Sequence, residues 1–134
     1  MKGMRRPSTE AIRGLIAAIE IHLERGDGVE AGIALLFLAE QCASVEVSRH
    51  PTLADTAVAL CATFVDRFGR APDPAMRRLV SRVLAKRGWL LATPDRYGEI
   101  SSNSDRMIEL FEGDPDPIIR QRVAFARLNR LISS

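Results

Sequence analysis

Aromatic side chains are scarce: one Trp, one Tyr and five Phe among 134 residues. A nucleic-acid platform that stacks bases on interleaved aromatics has little to draw on here, and the core must be packed with Ala, Leu, Ile and Val. Cysteine is scarcer still. Cys42 and Cys61 each fall inside an apolar helical pattern, which excludes a disulfide framework and points to buried free thiols in a reducing compartment. Long hydrophobic runs are missing too. The longest, Ile33 to Ala39, has seven residues against the roughly 20 needed to cross a bilayer, so it reads as a buried helix segment and no membrane partner is expected. Nor does one sign of charge dominate. The 19 basic and 17 acidic side chains leave a net +2, too even a balance to call by itself for a polyanionic partner.

What is present is globular composition, 46% hydrophobic and 27% charged, in a length that suits a single domain spanning residues 1–134. The opening MKGMRRPSTE is basic. Arg13, Glu20 and His22 interrupt the apolar residues after it, so no signal-type apolar core forms and a cytoplasmic location is expected.

The organising feature is a repeat. APDPAMRRLVSRVLAKR from Ala71 matches DPDPIIRQRVAFARLNR from Asp114, with Pro72 and Pro115, Asp73 and Asp116, Pro74 and Pro117, Arg77 and Arg120, Val80 and Val123, and Arg87 and Arg130 in register at an offset of 43. Phe68 and Phe111 stand just ahead of the two copies, and the same offset sets Pro51 under Pro94 and Gly26 under Gly69. Three copies of a two-helix unit result, over residues 11–53, 54–96 and 97–134.

Helix signals agree with that division. Ser8 is placed to cap a first helix carrying Ile12, Leu15, Ile16, Ile19 and Leu23 and ending near Arg25, before the Gly26-Asp27-Gly28 breaker. A second, from Val29 to about Val47, is apolar on nearly all sides and is expected to be enclosed by neighbours as the central helix. The third, Leu53 to Phe68, is amphipathic at three-and-four spacing and ends at Gly69. The fourth opens near Pro74 and stops at Thr93-Pro94. The fifth starts near Asp95, and Ser101, Ser102, Asn103 and Ser104 are expected to fray or bend it, since short polar side chains compete for backbone hydrogen bonds. The sixth begins after Pro115 or Pro117 and runs almost to the end.

Leu84 to Phe111, with Gly88, Leu91, Tyr97 and Ile100 at matching spacings, resembles a tetratricopeptide repeat. The longer pattern RFGRAPDPAMRRLVSRVLAKRG followed by RYGEI is similar to the long-first-helix variant of these repeats found in bacterial proteins, whose unit exceeds the usual 34 or so residues. Ile100 stands where that pattern has a small Ala and Ser104 where it has an aromatic. The resemblance implies an all-α fold: about six antiparallel helices in a short α-solenoid whose first helices line a concave face that holds peptides or partner domains.

At about 100° per residue Arg78, Arg82 and Trp89 share one line of the fourth helix with Lys86 beside it, turned from the Leu79/Val83/Leu90 stripe. Trp offers a large apolar area and Arg a rigid fork for carboxylates, so the line is a candidate grip for an acidic peptide tail. The other reading, which Trp commonly follows, is that Trp89 packs against the neighbouring unit while the arginines are solvated. Arg87 and Arg130 interrupt apolar stripes; each could anchor a ligand carboxylate, but the expected reading is structural, with the side chains snorkelling or pairing with Asp66, Glu99, Asp105 or Glu109. His22 and His50 have no metal-ligand spacing around them, no nucleophile elbow precedes a helix, and Gly26-Asp27-Gly28 lacks the lysine of a phosphate loop, so no catalytic residue, metal or cofactor is expected.

These signs lead to a non-enzymatic scaffold or adaptor that binds a protein or peptide through Arg78, Arg82, Lys86 and Trp89. The chain opens on what reads as a second helix and ends on an unpaired first one. The last helix, through Phe125, Leu128 and Ile132, is the candidate for self-association into a homodimer. A small-ligand or enzymatic helical bundle, and a nucleic-acid-associated regulator, are the alternatives.

Overall fold

A computed structural model describes residues 8–42, 51–92 and 96–133. Among the described residues there are six helices and no strand: α1 (Thr9–Arg25), α2 (Gly28–Gln41), α3 (Pro51–Phe68), α4 (Pro74–Leu90), α5 (Tyr97–Phe111) and α6 (Pro117–Ser133). None of them is long and apolar enough to cross a membrane.

Local chemistry sets the helix ends. Ser8 Oγ accepts from the Ala11 N–H at 3.1 Å, Asp73 Oδ2 from Met76 N–H at 2.9 Å, and Asp116 Oδ1 from Ile118 N–H at 2.8 Å, each meeting a donor that the first turn leaves without a partner. Pro74 and Pro117 follow the two Asp caps as first helical residues, where a missing N–H costs nothing. Gly26 closes α1 at φ 78°, a left-handed conformation that favours glycine.

The core joins Ile12 and Ile19 of α1, Leu35 and Leu38 of α2, Phe64 of α3, Val80 and Leu84 of α4, Phe111 of α5 and Ile119 of α6, all almost fully buried. The helix at its centre is α4, which packs on α2, α3, α5 and α6. This corrects the expectation for α2. Its apolar side chains are not enclosed on all sides: Val29, Ile33 and Phe37, four residues apart along one line, are half exposed or more. Helix α2 ends at Gln41, and the remainder of the expected helix, to Val47, lies mostly outside the described residues. Its opposite face packs tightly. A Cβ at Gly32 would fall 2.6 Å from Leu79 Cδ2 and 2.9 Å from Phe64 Cζ, so only glycine lets α2 approach α3 and α4 this closely.

Helix α5 also departs from expectation, running unbroken through Ser101 to Ser104. Asn103 is buried and satisfied from α4: its Nδ2 donates to Leu84 O at 3.0 Å and its Oδ1 accepts from Arg87 Nη1 at 2.9 Å. Gly88 makes room, since a Cβ there would stand 3.0 Å from that amide nitrogen. Among the described residues Arg87 pairs with none of the four carboxylates named for it. Its Nε donates instead to Val58 O of α3 at 3.1 Å, which ties three helices together. Arg130 does take an acidic partner, Asp105 Oδ1 at 2.8 Å.

Candidate functional site

The four residues singled out on α4 do share one face. The Arg78 side chain is 53% exposed, Arg82 is exposed, Lys86 is partly buried and Trp89 is 51% exposed, so the indole is not swallowed by a neighbouring unit. Lys86 Nζ reaches Glu40 Oε1 of α2 at 2.7 Å while lying 5.5 Å from the centre of the Trp89 ring. Glu40 follows Phe37 by three positions on α2. The ion pair therefore brings the exposed Val29, Ile33 and Phe37 line alongside α4.

Helix α6 borders the other side of the α4 line. Arg78 Nε pairs with Asp116 Oδ2 at 2.8 Å, and Arg122 Nη1 donates to Ser81 Oγ at 2.9 Å. Arg122 has no carboxylate within ion-pair distance among the described residues, and Arg82 has neither an ion pair nor a hydrogen bond there. Burial, then the charges of Arg82 and Arg78, pull the Arg122 guanidinium below its usual pKa, with Asp116 opposing. The two carboxylates in reach are already engaged. The Arg78 hydrogen bond holds Asp116 below the usual carboxylate range, and the Lys86 hydrogen bond does the same for Glu40.

Two clefts open along this face. One of about 400 Å³ lies between α4, α5 and α6, walled by Trp89 and Phe125 with Asn103, Ser104 and Met107 among the residues lining it. Its neighbour, of about 570 Å³, is lined by Pro74, Ala75, Arg78, Leu79, Arg82, Asp116, Ile118 and Arg122. Arg122 borders both.

The three α6 residues read as a self-association patch separate. Phe125, 62% exposed, belongs to the first cleft, whereas Leu128 and Ile132, 51% and 75% exposed, line neither. Arg122, Ser104 and the α2 line escape the sequence reading. A signal for Arg122 exists: at the 43-residue offset it stands where the preceding unit has the apolar Leu79, an arginine set into the α6 stripe between Ile119, Val123 and Ala126.

Other reactive groups are placed quietly. Burial pushes the Cys61 thiol up to about 12 and raises Cys42 as well, so both are kept as neutral thiols and act as small apolar fillers. His22 Nδ1 sits 3.3 Å from Asp27 Oδ2 at the α1–α2 turn. Among the described residues no cluster of three or more His, Cys, Asp or Glu side chains is arranged to hold a metal ion.

Comparisons with protein families, with curated proteins and with solved structures give no match to this chain.

Proposed function

We propose that the chain is a non-enzymatic interaction module, a short α-solenoid of the tetratricopeptide-like kind, that binds an acidic peptide or protein segment on the face shared by α2, α4 and α6. The observation that carries this reading is the pair Arg82 and Arg122. These two guanidiniums, without carboxylate partners among the described residues, lie beside a half-exposed Trp and a more exposed Phe. Arginine forks next to accessible aromatic area are what a protein partner's anchor residues and carboxylates engage. The alternating contacts, with α4 touching α2 and α6 while α1 touches α3, support stacked helix pairs. Glu40 and Asp116 within the same face, and its exposed Ile33, Phe37 and Ile118, favour an amphipathic peptide over a nucleic-acid backbone.

Selection of a random displayed peptide library on the immobilised full chain tests this. Enriched sequences are expected to be acidic with at least one large apolar residue, and Arg82→Glu is expected to weaken them about tenfold or more, a loss of about 1.4 kcal/mol. Enriched peptides that are neutral or basic, or that ignore Arg82→Glu, would overturn it.

Leu128 and Ile132, exposed away from the clefts, favour a second role in which α6 joins two copies of the chain. Light scattering over a range of concentrations is expected to give a dimer that Leu128→Asp converts to folded monomers. A wild-type monomer at every concentration removes the homodimer.

A further inference from the structure

The cleft between α4, α5 and α6 has features that an open groove does not need. Small residues, Ala85, Gly88 and Ala126, open it, and Trp89 and Phe125 stand over it as partly exposed apolar walls. Its volume of about 400 Å³ lies at the low end of the roughly 300–1,000 Å³ of ligand sites, which suits one bulky side chain better than an extended ligand. Ser104 lines it and is 3% exposed, yet its hydroxyl has no hydrogen-bond partner among the described residues. The neighbouring Asn103 differs, with both ends of its amide taken by Leu84 O and Arg87. A buried hydroxyl left in this state is costly until something polar enters beside it.

Arg122 is the seam. It borders this apolar cleft and also the adjoining one that holds Arg78 and Arg82, so a group seated in the first has a guanidinium within reach of its neighbour along a chain. Asp116, the carboxylate lining that second cleft, is already held by Arg78 at 2.8 Å. Charge complementarity there calls for an anion brought by the occupant.

We infer that the α4–α5–α6 cleft receives one large apolar side chain of an acidic peptide while a carboxylate next along that peptide is held by Arg122 and Arg82. This rests on the interaction reading above and names the motif that the face selects, an apolar anchor followed by acid. Ser104 accepts from or donates to the peptide beside the anchor. Trp89 closes over it.

Trp89 is the single Trp of the chain and lines this cleft, so its indole N–H resonance and its fluorescence give one signal there, to be read together with the Ser104 and Arg122 amides. The probes are acetyl-Gly-Phe-Asp-Asp-Gly-amide, its counterpart with Ala for Phe, and its counterpart with Asn for both Asp, titrated to millimolar concentration into the ¹⁵N-labelled full chain. The first is expected to shift the Trp89 indole and the Ser104 and Arg122 amides, and the other two to bind about tenfold more weakly or worse. Ala85→Phe, at an exposed α4 position on the cleft wall, is expected to abolish the preference for Phe over Ala while leaving the circular dichroism spectrum and melting temperature unchanged. Equal binding of the Phe and Ala peptides, or equal binding of the Asp and Asn peptides, would overturn the motif and leave the interaction reading standing. Silence of all three probes, with library-selected acidic peptides still binding, would overturn it too. Failure of every library peptide to bind takes down the interaction reading itself.

Discussion

Phe111→Ala is expected to lower the stability of the chain by about 3–5 kcal/mol, enough to remove much of the roughly 5–15 kcal/mol that holds a domain of this kind folded. The ring is fully buried at the end of α5, where that helix turns toward α6, and the Arg77 guanidinium lies 5.0 Å from its centre. Truncation removes the transfer energy of a phenyl group, leaves a cavity between α4, α5 and α6, and withdraws the face on which Arg77 rests. Phe68 is the built-in control. It stands 43 residues earlier, at the matching point of the sequence pattern, and packs on Phe64 with ring centres 5.1 Å apart, but it is only partly buried. Phe68→Ala is expected to cost less, about 1–2 kcal/mol. Urea denaturation midpoints at unchanged slope measure both. Equal losses would mean that the repeat position, rather than its burial, sets the energy.

The contrast between these two rings shows how far one sequence can be read. Helix ends are legible because their determinants are local: Ser8, Asp73, Pro74, Gly26 and Pro117 act within one turn of where they stand. The exposed α4 line is legible for the same reason, since Arg78, Arg82 and Trp89 follow from about 100° of rotation per residue. What lies across from a face is not local. The apolarity of α2 suggests enclosure, yet Ile33 and Phe37 meet open space, because composition counts apolar residues without counting neighbouring helices. Asn103 has the chemistry of a helix breaker. Its partners, Leu84 O and Arg87, come from a different helix, and the missing side chain of Gly88 leaves room for the amide between them. Arg87 and Arg130 share a repeat position but not a surrounding. Arg87 is flanked by α3 and α5 and bonds Val58 O and Asn103, whereas Arg130 on the last helix reaches Asp105 of α5. Part of the candidate site is hidden for this reason: Arg122 joins it from α6 and Ser104 from α5, and Phe125, singled out in the sequence for self-association, lines the cleft beside them.

Arg77→Leu is the second substitution expected to have a large effect, about 3 kcal/mol, although the residue lines neither cleft. Arg77 Nε meets Asp114 Oδ2 at 2.7 Å, its Nη2 donates to Leu110 O at 3.1 Å, and the Asp114 side chain is only 7% exposed. Removing the guanidinium leaves that carboxylate almost sealed from water, with the Asp116 N–H, 2.9 Å from Oδ1, as its remaining donor among the described residues. Most of the loss therefore belongs to the orphaned charge rather than to the pair. The double variant Arg77→Leu with Asp114→Asn is accordingly expected to recover a large part of it, with a coupling energy of about 1–3 kcal/mol from urea denaturation of the four proteins in the cycle. The same cycle on Arg70 and Glu109, 73% and 55% exposed, is expected to show little coupling. Additive losses for Arg77 and Asp114 would overturn the account. On the proposed reading the position bears on binding as well as on stability. Arg77 ties the first turn of α4, the helix that carries Arg82, to the turn that leads into α6, the helix that carries Arg122. A double variant with recovered stability but a relaxed turn is expected to hold acidic peptides less tightly than the wild type. Wild-type affinity in that protein would mean that α4 and α6 are spaced by their own packing, through Arg122 and Ser81, without help from the clamp.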